Sequence, residues 1–452
     1  MATPGPPSND QLHAKSFLYF EVFVDGSFHP VLTENLAKID IKNNVDNSYP
    51  VIQLFFYTDN QVFIQENIYP QRRITVNIWY TDEEGNKEPD PIIFDLVVLQ
   101  HDLQLPSKRY NNISDHQENQ RRITCATCVC RTPFKLMSCI VNRLWESDGS
   151  LPGCQITPYD AVMQLIEDVK IQDKIIKSDG KNDHKLDQLL IPPMSFNDAL
   201  NYINTMYGIY DDEVFKYCDW QGTFKMWDMK KYFDQNKGSG NITLHKLPIY
   251  GPAALTETPT KKAKTSHTDY VTYDYASTTN RIDDAFIMNG FKQTYIYHPA
   301  FDITYYINKE MSSEFISHGN IHGSSNLKYD QDALSERYMV HSEDLGMMTE
   351  YYGPEKSERV INRRFSRESL NLNYVKFDVN RKIKIHDLMK VGNLVYFKPY
   401  SEHEKYNGTS FEGSYMMMDS HIVLSRYRNG FMNDTVIANA TILGARTNQS
   451  FT

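Results

Sequence analysis

Two strand-rich stretches with a helical stretch between them limit what this chain can fold into. The first runs from Phe17 to Leu99 and opens on FLYFEVFV, aromatic and β-branched residues closed by the turn signal Asp25-Gly26. The second begins at Asn371 with NLNYVKFDVN and includes LMKVGNLVYFKPY and GSYMMMDSHIVLSRYR. Side chains alternate across a strand, so each stretch has one face to bury and one to present. Sheets of this kind must also close, pair or cover their edges. Tyr and Phe recur in both stretches, and their apolar bodies with polar or flat handles suit interfaces.

Strands are expected over Phe17–Val24, Leu36–Ile41, Val51–Thr58, Ile74–Tyr80 and Ile92–Leu99, with Asp59 capping a short helix over Asn60–Asn67. The charged turn DEEGNKEPDP lets the Ile74–Leu99 hairpin project as an arm. In the middle region, Thr132-Pro133 and Thr157-Pro158 each read as an N-cap followed by Pro at the first helical position. They predict helices over Pro133–Ser147 and Pro158–Val169. The second carries Val162, Leu165, Ile166 and Val169 on one stripe. Ser195 caps a further helix with Asp198 at its third position, and Gly208 ends it. Val214–Trp220 and Thr223–Met229 pair as a hairpin about Gln221-Gly222.

The fold expected is therefore α+β. An N-terminal arm over 1–14 precedes a first antiparallel β-barrel over 15–105 and an α+β middle domain over 106–233. A linker over 234–268 leads to a second barrel over 269–310 and 371–452, interrupted by an insertion over 311–370. KKAK, in the linker, reads as a solvated loop. The second barrel is expected to project its own hairpin, Val395–Tyr400 with Ser414–Ser420.

Bulk properties narrow the function. The 452 residues suffice for a core without staples, and 40% hydrophobic with 23% charged residues describes a globular chain. The net charge of −10 argues against gripping nucleic acid. It is compatible with an acidic wall past which phosphates slide. No apolar run reaches the ~18 residues of a membrane span, and the first residues lack a basic region followed by an apolar core, so no secretory leader is expected. The six cysteines read as buried free thiols. ITCATCVCRT alternates like a strand, with Cys128 and Cys130 on one face and Cys125 on the other, and no Gly supplies the turn of a zinc knuckle.

The search for chemistry finds no phosphate loop, nucleophile elbow or HExxH. Glu314, His318 and His322 have metal-like spacing, but Gly319, Asn320 and Gly323 oppose the helix it needs. Asp283-Asp284 and Glu83-Glu84 are adjacent acids that a strand would point to opposite faces. Arg359, Arg363, Arg364 and Arg367 form a solvated cluster better suited to a protein partner than to DNA. Met416–Met418 reads as barrel interior or as an adaptable contact surface. No cofactor, catalytic residue or metal site is expected. An enzyme reading would need paired acids in a concave site or a Cys–His pair such as Cys218 with a distant His. A glycan-binding module would expose its aromatics on loops.

Taken in order, FEVFVDG, IYPQRRITVNIWY, FDLVVL, QLLIPPMSFNDALNYINTMYGIYDDEVFKYCDWQG, VGNLVYF and SHIVLSRYRN resemble the baseplate hub protein of contractile-tailed bacteriophages. The resemblance implies a structural, non-enzymatic virion protein with two tail-tube-like barrels. It further implies a homotrimeric ring of pseudo-six-fold symmetry that joins the tail tube to a central spike, itself a separate chain, and leaves a channel for DNA. Tail tube protein, central spike protein, baseplate wedge or tail adaptor proteins, the tape measure protein and passing genomic DNA are the implied partners. A tube initiator or adaptor is the nearest alternative, and a phage-borne glycan-binding or hydrolytic module the next. The interface residues expected are Trp79 and Tyr80 in the first barrel, Phe397 and Tyr400 in the second, and Arg363 and Arg364.

Overall fold

The structure, a computed structural model, describes residues 17–58, 66–81, 87, 89–104, 122–145, 155–186, 189–236, 242–246, 268–279, 293–298, 303–307, 338–342, 373–379, 389–398, 413–427 and 435–446. The first strand set comprises β1 (Phe17–Val24), β2 (Ser27–Phe28), β3 (Leu36–Asn44), β4 (Val51–Thr58), β5 (Arg73–Thr81), β6 (Ile92–Gln104) and β7 (Arg122–Cys130), with helix α1 (Pro30–Asn35) between β2 and β3. β1 and β2 turn on Asp25 and Gly26, at φ 48° and 85°, the positive pair a tight hairpin demands. Leu18, Phe20, Val22 and Val24 alternate into the core, as do Ile74, Val76 and Ile78 on β5. β7 falls in the stretch expected as the middle domain, yet it pairs with both β4 and β6. The helix expected over Asn60–Asn67 lies almost wholly outside the described residues.

The middle unit holds α2 (Arg131–Ser138), β8 (Ile140–Trp145), α3 (Pro158–Asp168), β9 (Lys174–Ile176), β10 (Leu189–Ser195), α4 (Phe196–Met206), β11 (Val214–Cys218), β12 (Phe224–Asp228) and α5 (Met229–Gln235). Two of the three caps expected in this unit are present: Thr157 Oγ1 accepts from Asp160 N at 3.0 Å and Ser195 Oγ from Asp198 N at 3.1 Å. The cap expected at Thr132 is corrected, because α2 opens one residue earlier, at Arg131, behind Cys130 and with no side-chain cap. The helix expected over Pro133–Ser147 is corrected, because α2 ends at Ser138 and Ile140–Trp145 pairs instead with β10. Leu165, Ile166, Leu200 and Ile203 pack α3 and α4 into one core with Ile191 and Met226.

The remaining strands are β13 (Ile242–Lys246), β14 (Thr268–Thr279), β15 (Gln293–His298), β16 (Ile303–Ile307), β17 (Tyr338–Ser342), β18 (Asn373–Val379), β19 (Leu394–Lys398), β20 (Gly413–Tyr427) and β21 (Thr435–Arg446). β15, β16 and β17 form a sheet of their own, two of its strands lying in the stretch expected as second barrel and one in the stretch expected as insertion. β13, from the expected linker, pairs in parallel with β14 and β19.

The chain is mostly antiparallel sheet with few helices, as the sequence led us to expect. The two strand sets are not separate, however: thirteen strands share one hydrogen-bonded sheet, joined where β3 meets β20. β20 pairs with β21 from Tyr415 to Tyr427. On its other edge it meets β19 through Gly413–Met416 and β3 through Asp419–Ser425. The ladder with β21 slips between Met417 and Asp419, so Met418 is an extra residue where β20 changes partner. Met416 and Met417 are both fully buried, in two different cores, which fits the interior reading of this run. Among the described residues, β1 and β2 at one end of the first set do not pair with β3 at the other.

Candidate functional site

Of the six residues expected at an interface, the structure describes the side chains of Trp79 and Tyr80. They end β5, where Trp79 stands opposite Tyr19 and Tyr80 opposite Leu18 on β1. Neighbours in a strand face opposite ways. Tyr80 turns inward and packs against the first core, whereas Trp79 faces out, half-buried. Phe397 lies on β19 between Gly413 and Leu244, with its side chain outside the described residues. Tyr400, Arg363 and Arg364 also lie outside them, as do Glu83, Glu84, Asp283, Asp284, Glu314, His318 and His322.

Trp79 belongs to a cluster that the sequence did not announce. Its ring lies 6.1 Å from that of Tyr19, and the Lys87 ammonium sits 3.8 Å from the centre of the Tyr19 ring and 4.5 Å from that of Trp79. Glu21 holds the same ammonium at 3.0 Å. Lys87 comes from the turn DEEGNKEPDP, and its ammonium lies against the outer face of the sheet. A cation over an aromatic face contributes about 0.5–1 kcal/mol at an exposed site, enough to order two rings without burying them. Phe28 stacks edge-on against Phe23 at 5.7 Å on the neighbouring strand pair and is half exposed, as is Ile93 on β6. Alternation in FLYFEVFV could have flagged Tyr19, but no signal joins Lys87 to it across sixty-odd residues.

A second apolar surface lies on the two-stranded sheet of β8 and β10. Leu144 stands directly opposite Leu190, and both are exposed, as is Ile140.

The groups weighed for chemistry are placed unfavourably for it. Cys128 and Cys130 face the first core and Cys218 is buried beside Asp219; burial pushes all three thiols well up, away from the thiolate a nucleophile or metal ligand needs. The buried free thiols expected from the sequence are found at these positions. Among the described residues no three His, Cys, Asp or Glu side chains gather as metal ligands.

The fold is similar to that of the tail protein from Neisseria meningitidis MC58, at a TM-score of 0.51 and 11% identity over 95% of this chain and 97% of that one. A second similar structure is the 43 kDa tail protein of prophage MuSo2 from Shewanella oneidensis, at a TM-score of 0.48 and 11% identity over 94% of this chain and 97% of that one. No curated protein sequence matches the chain. A family model, that of the Bacteriophage PBS1 gene 109 protein, matches residues 18–251, the first strand set and the whole middle unit. The resemblance to phage tail proteins drawn from the sequence is thereby borne out, and the chain belongs to the Bacteriophage PBS1 gene 109 protein family.

Proposed function

We propose that the protein is a structural subunit of the baseplate hub of a contractile phage tail, in which three copies form a pseudo-six-fold ring around a channel for DNA. The observation that carries this reading is the pairing of two strand sets in one chain through the shared β20–β21 hairpin. A chain with two tube-like sets lets a three-fold ring present six, which is what a junction between a six-fold tube and a three-fold spike requires. The return of β19 onto β20 supports a barrel in the second set. A cyclic ring uses head-to-tail contacts between two different patches. The Tyr19–Trp79–Lys87 cluster and the Ile140–Leu144–Leu190 face are two such patches. Phe397, Tyr400, Arg363 and Arg364 are assigned to contacts with the tail tube, spike and baseplate wedge or adaptor chains. No step of this role needs an active site, a metal or a cofactor.

Quantitative mass spectrometry of purified virions tests the reading. The protein should be present at three copies per tail, half the number of tube subunits in one ring. Six copies or one would contradict the ring, and absence from virions would contradict a tail role altogether.

A further inference from the structure

The first strand set ends on an edge that is only partly covered. β1 pairs with β5 from Phe17 to Val24, but on its other side β2 reaches only Phe23 and Val24. Val22 is satisfied by a different device: its N–H donates to Thr33 Oγ1 at 2.9 Å, and its carbonyl accepts from His29 N at 2.8 Å. Both groups of Val22 therefore point away from β5. Alternate residues of an antiparallel ladder point the same way, so the backbone groups of Leu18 and Phe20 face this open side too. Among the described residues nothing pairs with them there. Their side chains are nonetheless buried in the first core. An unpaired backbone group at the rim of a core costs about as much as a lost hydrogen bond.

β21 has an opening of the same kind. β20 lines one side of it from Thr435 to Arg446, whereas β18 lines the other only from Ala440 to Ala445. Thr435–Asn439 therefore keeps its second side unpaired among the described residues. β21 approaches β1 to within 8 Å, Cα to Cα, yet no ladder joins the two. Stacked sheets pack about 10 Å apart, so an approach this close is side by side. Direction fits as well. From β1 through β5, β6, β7, β4, β3 and β20 to β21, every neighbouring pair is antiparallel, so β21 runs opposite to β1. The core agrees, because Ile422 and Leu424 of β20 are buried in one cluster with Leu18, Phe20 and Val22.

We propose that the β20–β21 hairpin is a strap poised to close the first strand set, its Thr435–Asn439 stretch zipping onto the open edge of β1 at Leu18 and Phe20. Paired strands stand about 5 Å apart, so a shift of no more than about 3 Å completes the ladder. The first set then becomes an antiparallel barrel whose last two strands come from the second set. An open β1 is a template for pairing with another chain, and the strap removes that edge. Closure is independent of the hub reading, since it concerns contacts within one copy.

Disulfide trapping in the full-length protein tests the strap. Tyr19→Cys, on the outward face of β1, is combined in turn with Thr435→Cys, Val436→Cys, Ile437→Cys, Ala438→Cys and Asn439→Cys. A disulfide needs Cα atoms about 4.4–6.8 Å apart, and residues of one strand alternate between faces. Under mild oxidation, bridges mapped by mass spectrometry should form at one position, or at two positions two residues apart, at least ten-fold above the intervening ones. No bridge at any position, or equal bridging at all five, would overturn the proposal. Hydrogen exchange of the unsubstituted protein, resolved by residue, gives a second reading. The Leu18 and Phe20 amides should exchange within ten-fold of Tyr19 and Glu21, and exchange at the rate of an unpaired amide would contradict closure.

Discussion

The Tyr217 hydroxyl donates a 3.0 Å hydrogen bond to Asn43 Oδ1, with both side chains fully buried. Asn43 Nδ2 in turn donates to Ser420 Oγ at 2.9 Å, again without exposure. The chain of bonds runs from the middle unit through β3 of the first strand set to β20 of the second. It meets all three parts of the fold where they converge. Burial raises the Tyr217 phenol well above its ordinary value, so the hydroxyl stays protonated and donating. Around it, Phe215, Trp227 and Met229 of the middle unit pack against Val391, Leu394 and Met416. The three parts are therefore one body, held by an apolar cluster with a satisfied polar thread through it.

Tyr217→Phe should destabilise the whole protein by about 1–3 kcal/mol, because it strands Asn43 Oδ1 in the interior. Adding Ser420→Ala should cost less than the sum of the two single changes, since both act on one network. Urea unfolding of the four proteins measures this. Additive effects, or a Tyr217→Phe protein as stable as the parent, would show that the thread carries no coupling.

Gly392 sits against the same cluster. Its φ is +87°, and a Cβ built there would lie 2.4 Å from Phe215 Cζ. Gly392→Ala must bear both a left-handed backbone, about 1–2 kcal/mol, and an overpacked ring, about 1–3 kcal/mol. A lowered thermal midpoint is expected, and Phe215→Leu should restore part of it by opening room. No loss of stability in Gly392→Ala would mean that the β19 turn does not seat on Phe215.

Asp228 carries a pH dependence of defined sign. Its carboxylate caps α5, with Oδ1 accepting from Lys231 N at 2.8 Å and Oδ2 from Asp212 N at 3.2 Å. Burial, with Asp212 and Asp211 adding to it, pushes the group up to about 6 from an ordinary 3.8. Because the folded value lies above the unfolded one, the fold carries a penalty for the ionised group above pH 6, and that penalty is relieved as pH falls from 6 towards 4. Relative to Asp228→Asn, the parent should lose about 1–3 kcal/mol of stability between pH 4.5 and pH 7.5. Denaturation curves across that range decide it, and a pH-independent difference between the two proteins would contradict the assignment.

The sequence disclosed what local chemistry controls. The FLYFEVFV strand, the Thr157–Asp160 and Ser195–Asp198 caps and the turn at Gln221-Gly222 are each specified within a few residues, and each is found. Partners distant in the chain stayed hidden. Ile140–Trp145 reads as helix because Thr132-Pro133 carries a local helix-start signal, whereas its strand partner begins at Leu189. β7 looked like the start of a new unit because nothing local places it between β4 and β6. The Tyr217–Asn43–Ser420 thread joins positions 174 and 377 residues apart, beyond any periodicity. At the outer surface, Trp79 is legible as an aromatic on a strand end, but nothing local places Lys87 over it.

Cryo-electron microscopy of the tail tip tests the central claim most directly. The account predicts three copies of this protein in one closed ring, with the two strand sets of each copy alternating around the lumen to give six similar positions. Six copies, a single copy, or a ring in which only one strand set of each subunit reaches the lumen would contradict it.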